Sequence, residues 1–190
     1  MHANRFTVVL DANVLIPVLT RDVLLSLAEQ NLYRVRWNAL ILDEVRQNLP
    51  RANPSVTEDA ASRAVSAMVR AFPDALIEGW ERLADGLSDL PDPDDAHVIA
   101  SAVNTGATVI VSQNLRHFPS GVLDPLGIAC LHPDDFIADT ISLDPGSAVV
   151  AIDRMLARHR KEPKSYADLI RAMEAMRFPR SVEELIASLP

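Results

Sequence analysis

The sequence predicts an α/β domain with a central, mostly parallel sheet flanked by helices, followed by a helical C-terminal extension. Three observations carry that reading. Short apolar runs of strand length alternate with helical patterns along the first two thirds of the chain. Two of those runs, at 6–10 and 108–111, are dense enough in β-branched residues to read as buried strands. From about residue 133 onward only helical periodicity remains. The domain is set at 1–137 and the extension at 138–190.

The elements follow in order. Phe6-Thr-Val-Val-Leu10 is a strand that ends at Asp11. Thr20 is positioned to cap a helix through Gln30, with Val23, Leu24, Leu27 and Ala28 on its inner face. Tyr33-Arg-Val-Arg-Trp37 alternates and reads as a second strand. Asn38 caps a helix carrying Ile41, Leu42, Val45 and Leu49. Ser55-Val-Thr-Glu58 has capping-box form ahead of a long helix ending near Phe72. Ala75-Leu-Ile77 is a short strand. A helix opens behind Asp92–Asp95, with Val98, Ile99, Ala102 and Val103 apolar and Gly106 placed to end it. Thr108–Val111 and the weaker Ile128–Leu131 complete the strands. Helical patterns then occupy 133–141, 146–160, 165–176 and 181–189.

Composition narrows the class. Hydrophobic residues make up 48% and aromatics 5%, so the core must be mainly aliphatic. No apolar run nears 18 residues, which argues against a membrane span, and MHANRF lacks a signal-peptide core. The single Cys130 excludes an internal disulfide and a cysteine-based zinc site. A cytoplasmic protein is the expectation. The net charge of −8 is uneven: residues 1–145 hold 10 Lys+Arg against 20 Asp+Glu, and residues 146–190 hold 8 against 6. The acidic part should bind nucleic acid poorly through charge alone, unless a divalent metal reverses the local sign.

The acids recur at the ends of apolar segments. Asp11 ends the first strand, Asn114 follows the strand at 108–111, and Glu44 lies about two turns into the helix after the second strand. Asp92 and Asp95 begin the helix that leads into Thr108–Val111. Acids at a helix start can simply be caps, and Asp92 or Asp94 suits that role. Yet ligands of parallel α/β sheets bind outside the carboxyl ends of the strands, so four distant regions can converge on one edge. Oxygen-only ligands suit Mg²⁺ or Mn²⁺. Without metal, such carboxylates would repel one another. With it, they can support water activation at a phosphodiester.

At these residues the chain resembles the PIN-domain family and, within it, the bacterial VapC-type toxins. Val-Val-Leu-Asp11-Ala-Asn13-Val-Leu is similar to the opening strand and first acid. Glu44, in Ile-Leu-Asp-Glu-Val-Arg, is similar to the second. Asp92-Pro-Asp-Asp95-Ala-His-Val-Ile-Ala resembles the third motif, with Asp95 its central acid. Val-Ile-Val-Ser112-Gln-Asn114-Leu-Arg-His-Phe resembles the fourth. The likeness covers roughly residues 5–135, and its strength lies in four short motifs in the right order. It implies a Mg²⁺-dependent endoribonuclease (Mn²⁺ as alternative), an RNA substrate, a cognate antitoxin protein and a homodimer. It also implies catalytic roles for Asp11, Glu44, Asp95 and Asn114, with Asp11, Glu44, Asp92 and Asp95 as metal ligands. Ser112 and Asn13 would support a carboxylate. The fourth motif often ends in Asp, whereas Asn114 brings an acceptor oxygen but no charge.

Two rivals remain. A phosphatase of the haloacid-dehalogenase type also begins with a strand-end Asp, but needs a second Asp where Asn13 stands. A catalytically silent PIN module that binds RNA or protein would accommodate Asn114. His97 reads as a packed or surface histidine pointing away from the acids, and Trp37 and Trp80 read as core. Arg116 and His117, just past Asn114, are placed either to touch phosphate or to lie in a solvated loop. In the extension, which resembles helical tails on some of these toxins, Lys161 and Lys164 are the chain's only lysines and candidate RNA contacts. Val149, Ile152 and Leu156, and Leu169, Ile170, Met173 and Met176, form stripes that need a surface to cover.

Overall fold

The computed structural model describes residues 6–87, 90–158 and 163–189. The order is β1 (Thr7–Leu10), α1 (Ala12–Leu15), α2 (Val18–Glu29), β2 (Arg34–Asn38), α3 (Ala39–Ala52), α4 (Glu58–Ala71), β3 (Leu76–Ile77), α5 (Glu81–Ala84), α6 (Ala96–Thr105), β4 (Val109–Val111), α7 (Ser120–Leu123), β5 (Ala129–Leu131), α8 (Pro133–Leu143), α9 (Pro145–Ala157), α10 (Tyr166–Ala175) and α11 (Pro179–Ser188). The chain forms two compact units. The first comprises Met1–Pro17 and Arg34–His132, the second Val18–Tyr33 and Pro133–Pro190. The 137/138 position lies inside α8, and α2 belongs with the C-terminal helices.

The first unit is built on a five-stranded sheet of order β3-β2-β1-β4-β5, with every neighbouring pair parallel. β1 is central, pairing Val8 with Val35 on one side and with Val109 on the other. Val8, Val9 and Leu10 are wholly buried, each worth about 1.5–3 kcal/mol relative to exposure. The chain winds from β1 through β2 to β3, then crosses back to β4 and on to β5. The order therefore reverses between β1 and β4, and the carboxyl ends of those two strands flank the switch point where such sheets bind ligands.

Local signals explain most boundaries. Asn38 caps α3 by accepting from the Ile41 N–H at 2.9 Å. Gly106 ends α6 with φ +62°, the left-handed conformation that favours glycine. Trp37 is buried and meets Phe72 edge-on, centroids 5.8 Å apart. Other expectations need correction. Thr57, not Ser55, caps α4, accepting from Ala60 N–H at 3.2 Å. In α6 the polar His97 and Ser101 are buried, and Val103 is 37% exposed. The segment after Asp92 opens as a 3₁₀ turn, Pro93–Asp95, before α6 begins.

The second unit is helical. α2 packs on α9, and α8 packs on α9 and α11. α2 starts at Val18, so Thr20 lies within the helix and is not its cap; its buried hydroxyl has no partner. Tyr33 packs edge-on to Phe136 at 4.9 Å and donates its hydroxyl to the Leu24 carbonyl at 2.8 Å. α9 buries Ala148, Ala151, Ile152 and Met155, leaving Val149 and Leu156 only half-buried. It ends at Ala157, short of 160. A Ser165–Asp168 capping box opens α10. Asp134, 5% exposed, accepts from Ser181 N–H at 2.8 Å and Arg180 N–H at 3.2 Å. It thereby satisfies two of the otherwise orphan donors at the start of α11. Among the described residues no helix is long and apolar enough to cross a membrane.

Candidate active site

The apolar β1 strand delivers Asp11 to the carboxyl edge of the sheet. The Asp11 N–H donates to the Val111 carbonyl at 3.1 Å, which ties the end of β1 to the end of β4. The carboxylate is 4% exposed. Its Oδ2 accepts from the Ser112 hydroxyl at 2.7 Å and from Asn13 Nδ2 at 2.6 Å. Ser112 Oγ accepts in turn from the Asn114 N–H at 3.0 Å and from Asn13 Nδ2 at 2.9 Å. With its lone pairs so engaged, the hydroxyl proton points at Asp11. Asn13 Oδ1 accepts from Gln113 N–H at 2.9 Å. This bracing joins the residues after β1 to those after β4. Burial pushes the Asp11 pKa up to about 6, opposed by the Ser112 hydrogen bond and assisted by the charges of Asp95 and Glu44.

Glu44 comes from the second turn of α3. Its Oε1 lies 3.0 Å from His97 Nε2, and its side chain is 46% exposed. Asp43 beside it is held by Arg46 and Gln47. His97, 6% exposed, sits at the start of α6 and lines the same cleft. It is buried, as expected, but it does not point away from the acids. The 3₁₀ turn ahead of α6 and the facing helix α3 bring it to Glu44, while Asp95 takes a different partner.

Asp92 accepts from the Asp94 N–H through Oδ1 at 3.1 Å, so it is the cap of the 3₁₀ turn. Its Oδ2 lies 3.9 Å from His117 Nδ1. Asp95 makes no capping bond. Its Oδ2 instead lies 2.7 Å from His117 Nδ1. Burial raises the Asp95 pKa, offset by the hydrogen bond and charge of His117. Asp94 is exposed. Asn114 is exposed at the rim, and Arg116 is exposed beyond it. Lys164 belongs to the second unit, and Lys161 lies outside the described residues.

Asp11, Asn13, Glu44, Asp92, Asp95, His97, Asn114 and His117 line one cleft of about 490 Å³. Ser112 lies behind it, wholly buried. Single ligand atoms of Asp92, Asp95 and His117 all fall within 4.8 Å of one another. Six acids line the cleft, Asp43 and Asp94 included, and burial raises the pKa of two of them, Asp11 and Asp95; such oxygen donors suit a hard divalent cation, and an imidazole would also admit Mn²⁺. Burial pushes the Cys130 thiol up to about 12, with help from Asp11 and Asp95, so it stays protonated. The two histidines were the cleft residues hardest to read from sequence. Their only signal was position, one beside the third motif and one just past the fourth.

A parallel α/β domain with an acidic cleft at its switch point defines the class: an α/β fold that gathers carboxylates at the carboxyl edge of its sheet. A family model for the PIN domain matches residues 7–116. The chain belongs to the PIN-domain family. A second model, described as the VapC50 C-terminal domain, matches residues 133–187. Among curated proteins, "Putative ribonuclease VapC50" of Mycobacterium tuberculosis is 53% identical over 49 residues. That alignment covers 26% of this chain and 29% of the relative, so the match spans under a third of that protein. No solved structure gives a significant match.

Proposed function

We propose that this protein is a divalent-metal-dependent endoribonuclease, the toxin of a toxin–antitoxin pair, acting in the cytoplasm as a homodimer. The observation that carries the reading is the convergence of Asp11, Glu44, Asp92 and Asp95, from three separate segments, on one cleft. These four would hold Mg²⁺ or Mn²⁺. A bound divalent ion supplies a more acidic water and neutralises charge at a phosphodiester under attack.

The chain's own residues do the rest. Ser112 and Asn13 fix the Asp11 carboxylate in one orientation. Asp95 is oriented by His117. Asn114 offers an amide oxygen at the rim for a water or a substrate hydroxyl. Arg116 and Lys164, with Lys161, are the cations proposed to touch RNA phosphate. Catalysis is assigned to the sheet-bearing unit, and the helical extension to substrate or antitoxin contact. The name of the M. tuberculosis relative supports ribonuclease activity, and the family supports an RNA substrate and an antitoxin partner.

One observation favours a second reading. Asn114 stands where the fourth motif often has Asp, and a site lacking that charge suits a module that binds RNA or protein without cleaving it. The phosphatase reading has no such support, because Asn13 is an amide engaged with Asp11 and Ser112. The deciding experiment is cleavage of a mixed RNA pool with Mg²⁺ or Mn²⁺, after chelation, and after metal is restored. Chelator-sensitive, metal-restored cleavage is expected. RNA binding without cleavage under any metal selects the silent module, and cleavage that survives chelation sinks the metal mechanism.

A further inference from the structure

We infer that His97 is a positioning residue whose Nε2–H holds Glu44 in place for the cation. The inference rests on the reading of Glu44 as a metal ligand. It begins with Asn38. The Asn38 Oδ1 is committed to capping α3 through Ile41 N–H at 2.9 Å. The amide nitrogen must therefore face α6, where it lies 2.9 Å from Ser101 Oγ, 3.2 Å from the His97 carbonyl and 3.0 Å from His97 Nδ1. An amide nitrogen only donates. With Nδ1 turned to Asn38, Nε2 is the ring nitrogen left for the Glu44 carboxylate, which only accepts, so Nε2–H donates. That nitrogen faces Glu44 Oε1 at 3.0 Å.

The arrangement is asymmetric in a useful way. His97 is 6% exposed and is flanked by the Trp80 ring at 5.9 Å. Asn38 is wholly buried. Glu44, by contrast, is 46% exposed on a long side chain. Its only described side-chain bond is the one from His97. A buried pair thus restrains a half-exposed carboxylate. Outer hydrogen bonds of this kind orient metal ligands, and their loss typically weakens metal binding by about tenfold to a hundredfold.

The competing explanation is a core histidine that merely satisfies Asn38. Two substitutions separate them, since a Gln amide nitrogen reaches about as far as Nε2 and an Asn amide only as far as Nδ1. His97→Gln keeps a donor for Glu44. His97→Asn keeps contact with Asn38 and abandons Glu44. The measurement is Mn²⁺ binding to the full chain by electron paramagnetic resonance, with thermal melts in chelator to verify folding. His97→Asn should weaken Mn²⁺ binding by about tenfold or more, and His97→Gln should recover most of it. Equal affinity of wild type and His97→Asn overturns the inference and leaves the metal reading standing. If wild type takes up no Mn²⁺, the metal reading falls and this inference with it. Imidazole ¹⁵N NMR of wild type needs no variant: a proton on Nε2 is expected, and a bare Nε2 overturns the inference.

Discussion

Asp11 and Asp134 are both buried carboxylates, 4% and 5% exposed, one in each unit. Their partners differ. Asp134 accepts two backbone N–H groups at the start of α11, where the helix also presents partial positive charge. Arg180 on that turn pairs with Asp135 and Asp139. The carboxylate completes a helix end. Asp11 accepts from one hydroxyl and one side-chain amide, with a single backbone hydrogen bond from Ala12 beside them. The charges of Asp95 and Glu44 push its pKa the same way as burial does. Burial alone does not mark a functional acid. A buried acid whose pKa is pushed further up by neighbouring acids does.

The sharpest way to break this contrast is a matched pair of substitutions. Asp11→Asn keeps shape and removes a charge from the cation site. It should lower metal-dependent RNA cleavage by more than the roughly hundredfold typical of losing an outer hydrogen bond to a ligand. Asp134→Asn, assayed per folded molecule, should leave cleavage within a few-fold of wild type. Comparable losses in both variants would mean that the difference in partners has no functional meaning.

Stability should order the two residues the other way. Asp134→Ala strips two donors of α11 of their buried acceptor and should cost about 2–4 kcal/mol, combining a lost cap with unsatisfied buried donors. Urea unfolding would measure it. A cost under about 0.5 kcal/mol would show that water replaces the carboxylate freely.

For Asp11 the sign reverses. Its folded pKa is about 6, against 3.8 for the ordinary group. The folded state therefore holds the proton more tightly. The penalty is absent below the unfolded value, grows as pH rises, and is complete above the folded value. Metal-free Asp11→Asn should be more stable than wild type near pH 8, by up to about 3 kcal/mol. The gain should fade as pH falls from 6 towards 4. A variant less stable than wild type at pH 8 in chelator would mean that the two hydrogen bonds to Oδ2 outweigh the repulsion.

The contrast also separates what was legible in the sequence from what was not. Strands read well because buried parallel strands are short apolar runs, and Asp11 stood out because it ends one. Asn38 and Gly106 read well because capping is local chemistry. Glu44, Asp92, Asp95 and Asn114 were placed by their relation to strands and helix starts, and one cleft contains them all. The grouping of α2 with the C-terminal helices was not legible, since amphipathic periodicity shows a face and not its partner. Thr20 misled because a hydroxyl in the first turn looks the same in sequence whether it caps a helix or lies inside one. His97 and His117 were misjudged or undervalued for a related reason. Their direction depends on the 3₁₀ turn at Pro93–Asp95 and on the turn after β4, and neither leaves a periodic trace.

The smallest effect concerns Asn114, where the contrast between balanced and unbalanced acids can be sharpened by adding one more. Asn114 lines the cleft but is exposed, so a carboxylate there would act through water-like dielectric. One extra charge several ångströms from a divalent ion is then worth about 1 kcal/mol, or roughly fivefold in affinity. Asn114→Asp should tighten Mg²⁺ binding by about that factor, measured by calorimetry, and the gain should shrink in high salt because exposed charges are screened. The backbone N–H of residue 114, which bonds Ser112 Oγ, is unaffected by the change, so the bracing of Asp11 should persist. The metal-free variant should be slightly less stable, since the added charge faces Asp11, Asp92 and Asp95 uncompensated. Unchanged or weaker Mg²⁺ binding would place position 114 outside the field of the cation. The amide would then matter for substrate and not for metal.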